Sequence, residues 1–149
     1  MKIIISHIEA SSHVDGPGER TVLFMQGCTL HCPGCQNRAL WEPENGHVTD
    51  TDALADTLAA LSARHGNVTI SGGEPFQQPK ALALLCHALR NRGVKNILVY
   101  SGYTWERLVH PVNPSALWVF EALSQIDTLV DGPFIAADDD PLITWRGSR

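Results

Sequence analysis

Short apolar runs alternate along this chain with stretches of helical period. Residues 2–8, opening with Ile3-Ile4-Ile5, read as a strand. Residues 21–26 read as a second, with β-branched and aromatic content. Between them Asp15-Gly16-Pro17-Gly18 breaks any regular element. Thr49-Asp50-Thr51-Asp52 resembles a capping box that starts a helix at Thr49. Leu54, Leu58 and Leu61 then recur at helical spacing until Gly66 stops it. Val68-Thr69-Ile70 predicts a strand over 68–71. Pro79 opens a helix with Leu82, Leu85, Cys86 and Leu89 on one side, and Gly93 ends it. Ile97-Leu98-Val99-Tyr100 is a strand of buried type. Two short helical stretches follow at 104–109 and 115–124, and Thr128-Leu129-Val130 forms the last strand.

Strands alternating with helices predict an α/β fold with a parallel sheet and right-handed crossovers. Three segments follow strands directly: Cys28–Cys35, Ser71–Pro75 and Ser101–Tyr103. In such sheets ligands bind at that edge. At 149 residues the chain reads as one domain. A full eight-fold barrel needs about 200 residues or more, so a partial, open barrel is expected.

Composition narrows the class. The hydrophobic fraction of 44% suffices for a core. A formal charge of −5 argues against a nucleic-acid binder. No apolar run approaches 18 residues, so no membrane span is expected, and the first residues do not form a secretory signal. Four cysteines could make two disulfides in a secreted protein. Crowding of three in one loop fits a reducing, cytoplasmic setting better.

The chemistry concentrates in Cys28-Thr29-Leu30-His31-Cys32-Pro33-Gly34-Cys35, spaced C-x3-C-x2-C. Three thiolates on one loop can hold a metal centre and leave it incomplete. A closed zinc site wants four ligands, and a [4Fe–4S] cluster normally takes four cysteines. Three would leave one iron open to a substrate. A zinc site with His31 as fourth ligand is the alternative, but His31 adjoins Cys32, a poor spacing for both to face one metal. The seven histidines show no H-x3-H pattern. Downstream, Ser71-Gly72-Gly73-Glu74-Pro75 places two glycines and an acid at a strand end. That suits close backbone approach by a ligand carrying a cation, or a plain tight turn.

A three-cysteine loop followed by strand-GGEP resembles the radical S-adenosylmethionine (SAM) enzymes. Five further blocks narrow the likeness: Asp15–Gly18, Arg20–Cys28, Ser101-Gly102-Tyr103-Thr104-Trp105-Glu106, Leu129-Val130-Asp131-Gly132-Pro133-Phe134 and Trp145-Arg146-Gly147-Ser148. In this order the chain resembles the activating enzymes of glycyl-radical proteins, those serving anaerobic ribonucleotide reductase in particular.

The resemblance implies a partial (open) TIM-like barrel of the radical SAM type. A single such domain would span 1–149, without the short Asn-Gln-containing tail that close relatives carry. It implies a [4Fe–4S] cluster on Cys28, Cys32 and Cys35. SAM would chelate the open iron and be contacted by Gly34, Cys35, Gln36, Gly72, Gly73 and Glu74. Gly34 stands where many radical SAM enzymes have an aromatic residue, and Gln36 where relatives often have His or Tyr. The implied partners are a glycyl-radical enzyme and a one-electron donor such as a flavodoxin. The cofactor carries the radical chemistry, so no catalytic side chain is expected. Two rivals stand beside this: a radical SAM enzyme acting on another peptide or small molecule, and a non-enzymatic iron–sulfur or zinc protein. Asp15–Gly18 is either an ordinary turn or a loop near the site opening. Tyr103 and Trp105 read as packing residues, Cys86 as a core thiol, and Asp138-Asp139-Asp140 as a solvated loop.

Overall fold

A computed structural model of the protein describes residues 1–110, 112 and 114–133. The sequence readings at Phe134, Asp138–Asp140 and Trp145–Ser148 lie outside the described residues. Among the described residues six strands run β1 (Lys2–Ser12), β2 (Arg20–Met25), β3 (His47–Asp50), β4 (Asn67–Gly72), β5 (Asn96–Tyr100) and β6 (Thr128–Val130). Four helices accompany them: α1 (Thr51–Leu61), α2 (Pro79–Asn91), the single turn α3 (Trp105–Leu108) and α4 (Ala116–Gln125).

The strands form one sheet in the order β3-β1-β2-β4-β5-β6. From β2 to β6 the pairing is parallel, as the strand–helix alternation predicts. β1 departs from that expectation, running antiparallel to both β2 and β3. The reason is loop length. Parallel neighbours need a crossover of a dozen or more residues, and only residues 13–19 join β1 to β2. β1 also runs on to Ser12, past the predicted end, because its backbone ladder to β2 continues to Ser12 and Arg20. β3 escapes sequence reading altogether. It is a short polar edge strand, held by backbone pairing to β1 and not by apolar alternation.

Helix α1 begins two residues later than the capping-box reading places it. Asp50 is the cap, its Oδ2 accepting from the backbone N–H of Asp52 and Ala53 at 2.9 and 3.3 Å. Thr49 belongs to β3. Leu54 and Leu58 are buried, but Leu61 at the helix end is exposed. Helix α2 starts at Pro79 and buries Leu82, Leu85, Cys86 and Leu89, as expected. These side chains pack with Ile3, Ile5, Leu23, Met25, Val68, Ile70, Ile97 and Val99 of the strands and Val119 and Ala122 of α4. Alternation along the strands sends these residues to one face and Arg20, Val22, Thr69, Leu98 and Tyr100 to the other. Among the described residues no helix is long and apolar enough to cross a membrane.

Candidate cofactor site

Three loops leave the carboxyl ends of β2, β4 and β5 and meet. The first carries the cysteines. Its root is fixed by backbone hydrogen bonds, Gly27 N–H to Leu40 C=O at 2.7 Å and Cys28 N–H to Trp41 C=O at 2.9 Å. Gln26 is buried, and its amide nitrogen donates to the carbonyls of Ala39 and Glu42. The loop's returning limb is thereby stitched to the end of β2. The loop bends at His31, whose φ of 47° is left-handed, and at Gly34, where the Cys35 N–H reaches Cys32 C=O at 3.0 Å.

The second loop is Gly72-Gly73-Glu74-Pro75, and its glycines serve chain-to-chain contact first. A Cβ on Gly73 would lie 2.3 Å from the Gly27 carbonyl oxygen, and one on Gly72 would lie 2.4 Å from the Met25 nitrogen. The Gly73 N–H donates to Met25 C=O and the Glu74 N–H to Gly27 C=O, both at 2.8 Å. The GGE segment is thus zipped onto the root of the cysteine loop. The ligand-approach reading of these glycines sees only half of their use.

Glu74 is 1% exposed. Its Oε1 accepts from the Phe76 N–H at 3.0 Å and the Ser101 hydroxyl at 2.9 Å, and its Oε2 from the Gly102 N–H at 2.6 Å. Burial pushes its pKa upward, and the three donors offset part of that. The carboxylate therefore ties the β4 loop to the third loop, Ser101–Tyr103. Leu30 of the cysteine loop closes the circuit by covering Gly102. Trp105 is half exposed and not packed as expected, but its backbone N–H donates to Asp131 at 2.7 Å, joining two of the sequence blocks. Tyr103 does pack on the core.

Sequence reasoning missed two glutamines that hold this assembly. Gln77 accepts from the Thr29 N–H and donates to the Thr29 hydroxyl at 2.7 Å and the Tyr103 hydroxyl at 2.9 Å. Gln78 accepts from the Ile4 N–H and donates to the carbonyls of Ile4 and Gln26. The one signal in the sequence is a polar pair set between Phe76 and Pro79 where a helix begins. A groove beside these loops, about 510 Å³, is lined by Thr29, Gln77, Tyr103 and Arg107 among others.

Asp15–Gly18 lies at the other end of β2, fastened by Arg20. The buried Arg20 guanidinium donates to the Thr69 hydroxyl, the Val68 and Pro17 carbonyls and Asn96 Oδ1, the last at 2.6 Å. The Thr69 hydroxyl donates to Asp15 C=O at 2.9 Å.

Donor chemistry decides whether the cysteine loop fits a cluster. Cys28, Cys32 and Cys35 are free and half-buried, while Cys86 is free and fully buried in α2. The Asn37 N–H donates to Cys35 Sγ at 3.4 Å, a contact suited to a thiolate ligand. The ring of His31 is stacked on Trp41, which turns it to packing. Among the described residues no three His, Cys, Asp or Glu side chains already converge as a metal-holding group. The three thiols fit an iron–sulfur cluster lacking one protein ligand. Gly34 and Gln36 flank the third thiol on the exposed side of the loop.

Fold and site define a mixed α/β protein with a three-thiol loop at the carboxyl edge of its parallel strands. Residues 14–149 match the family model described as a 4Fe-4S single cluster domain. Among the similar curated proteins are anaerobic ribonucleoside-triphosphate reductase-activating proteins. That of Salmonella typhi is 34% identical over 91% of this chain and 87% of its own. That of Vibrio cholerae is 35% identical over 91% and 86%, and that of Enterobacteria phage T4 is 30% identical over 91% and 83%. The chain belongs to this family of activating proteins. The solved structure of QueE from Escherichia coli shares its fold, with a TM-score of 0.51 at 19% identity over 69% of this chain. The chain spans about half of the QueE chain, 53%.

Proposed function

We propose that this protein is a radical SAM activase that generates a glycyl radical on a partner enzyme, anaerobic ribonucleotide reductase. The observation that carries the reading is the interlock of the three-cysteine loop with the GGEP loop at the carboxyl edge of the sheet. Membership of the activating-protein family supports the choice of partner.

In this reading Cys28, Cys32 and Cys35 hold a [4Fe–4S] cluster with one iron open to SAM. When bound, cluster and SAM supply a one-electron reductive cleavage to methionine and a 5′-deoxyadenosyl radical, which takes a hydrogen atom from a glycine Cα of the partner. A flavodoxin-type donor supplies the electron. The chain's own residues bind, orient and exclude water. The backbone of Gly34, Cys35 and Gln36, together with Gly72 and Gly73, would contact SAM. Glu74 accepts three protein hydrogen bonds and has lone-pair capacity for a fourth, which the SAM ammonium would use. The sheet is one part of the open TIM-like barrel of radical SAM enzymes, the whole chain is one domain, and the protein works in the cytoplasm.

The test is anaerobic. The protein is reconstituted with iron and sulfide, given SAM and dithionite, and assayed for 5′-deoxyadenosine with and without the reductase. Deoxyadenosine together with a glycyl-radical EPR doublet on the reductase is the expected result. Deoxyadenosine without the doublet moves the substrate elsewhere. A verified cluster that yields no deoxyadenosine overturns the enzymatic reading.

A further inference from the structure

Trp41 carries a feature that the proposed function leaves unused. Its indole Nε1 is buried and has no hydrogen-bond partner among the described residues. A buried donor without an acceptor costs about 1–3 kcal/mol, and native chains keep few of them. Trp41 is also held against the cysteine loop at two points. Its carbonyl oxygen accepts the Cys28 N–H at 2.9 Å. Its ring stacks on His31, which immediately precedes Cys32, at 4.1 Å between centroids and 18° between planes. The Arg38 guanidinium sits 5.6 Å from the indole centroid and adds a third contact.

An unpaired N–H at this position looks for an acceptor that the chain does not provide. We infer that the Trp41 indole N–H donates to a sulfur of the iron–sulfur cluster bound by the loop. The inference rests on the cluster assignment made above and goes beyond it, because it gives a side chain a part in setting the reduction potential. An N–H···S bond withdraws electron density from the sulfur and favours the reduced, more negative cluster. Trp41 is thus a tuning residue for the electron-accepting step. It touches the cluster, not SAM or the partner.

Two measurements on the reconstituted full chain test this. In the wild type, tryptophan labelled with 15N in the indole ring is introduced and the reduced cluster is studied by pulsed EPR. A 15N hyperfine coupling is expected, and Trp41→Phe abolishes it. In the same variant an EPR-monitored redox titration should give a midpoint shifted to more negative potential. A tenfold loss in the equilibrium constant for reduction corresponds to about 59 mV for one electron. A reduced [4Fe–4S] signal with no 15N coupling overturns the inference and leaves the cluster assignment intact. An unchanged midpoint in a Trp41→Phe protein with full iron content does the same, and assigns Trp41 to packing. If no [4Fe–4S] signal forms in the wild type, the cluster assignment falls and this inference with it.

Discussion

Replacing Glu74 separates a bracket from a ligand contact, because the bracket exists before any cofactor binds. In Glu74→Ala the N–H groups of Phe76 and Gly102 lose their acceptors at 3.0 and 2.6 Å. The Ser101 hydroxyl can rotate, and it still accepts from the Tyr103 N–H at 3.1 Å. Two stranded N–H groups cost about 1–3 kcal/mol each. Relief from holding a buried carboxylate charged returns part of that. The net loss is about 2–4 kcal/mol, which for a chain of this length lowers Tm by roughly 4–16 °C. Glu74→Gln keeps one acceptor oxygen. With that oxygen at the Oε1 position, its amide nitrogen faces the Gly102 N–H, donor against donor. Its cost is therefore smaller, about 1–3 kcal/mol. The assay is thermal unfolding of the metal-free protein without SAM. The expected order of stability is wild type, Gln, then Ala. If Glu74→Ala melted with the wild type before loading, the bracket argument would be wrong, and the residue would matter only through SAM.

The same geometry gives three further predictions. Gly73→Ala forces the Gly27 carbonyl away from a Cβ that would otherwise lie at 2.3 Å, so iron bound per chain after reconstitution should fall and stability drop by about 1–3 kcal/mol; an unchanged iron content refutes the zipper. Tyr100 is pushed up to about 12, by burial first and by Asp15 second, with Arg20 opposing. The folded chain thus keeps a proton that the unfolded chain releases near 10, so stability is lost as pH rises from 10 to 12; Tyr100→Phe should flatten that slope and remove the later phenolate step seen by absorbance. Alkylation of the native metal-free chain with iodoacetamide, read by peptide mass, should label Cys28, Cys32 and Cys35 and spare Cys86; labelling of Cys86 at a comparable rate would refute its burial in α2.

What the sequence reveals of this molecule follows from how local the cause is. Helices α1 and α2 and the four parallel strands are legible, because periodicity, Pro79 and β-branched runs act within one element. The orientation of β1 is not, since it depends on the short connection to β2 overriding the alternation of strands and helices. β3 is invisible because backbone pairing to β1 makes it a strand while its side chains remain mostly solvated. The cysteines and GGEP are legible as motifs, as residue types at fixed spacing. Their supports are not. Gln26, Gln77 and Gln78 reach across 13 to 74 residues of sequence, and nothing near them names their partners. Gly72 and Gly73 mislead in an instructive way: the pair reads as room for a ligand, yet each Cβ would first meet the backbone of β2 and the cysteine loop.

The four thiols show how environment, and not residue type, assigns chemistry. Cys86 is fully buried among the leucines of α2, and burial pushes it up to about 12. Arg90 opposes this only weakly, so the thiol stays protonated and behaves as a small apolar side chain. Cys28 is also raised, mainly by partial burial and further by Glu74 nearby, while the backbone N–H groups of Leu30 and His31 pull the other way. Those two donors already lie where a thiolate would need them, so a metal ion that takes up the Cys28 sulfur completes a half-prepared site and releases a proton. Cys86 has no donor of that kind and no open side. Around the cysteine loop, Glu74 N–H holds the Gly27 carbonyl, Gln77 holds Thr29 and Gln78 holds the Gln26 carbonyl. In the proposed reading that support would let the loop hold a cluster on Cys28, Cys32 and Cys35 without a fourth protein ligand.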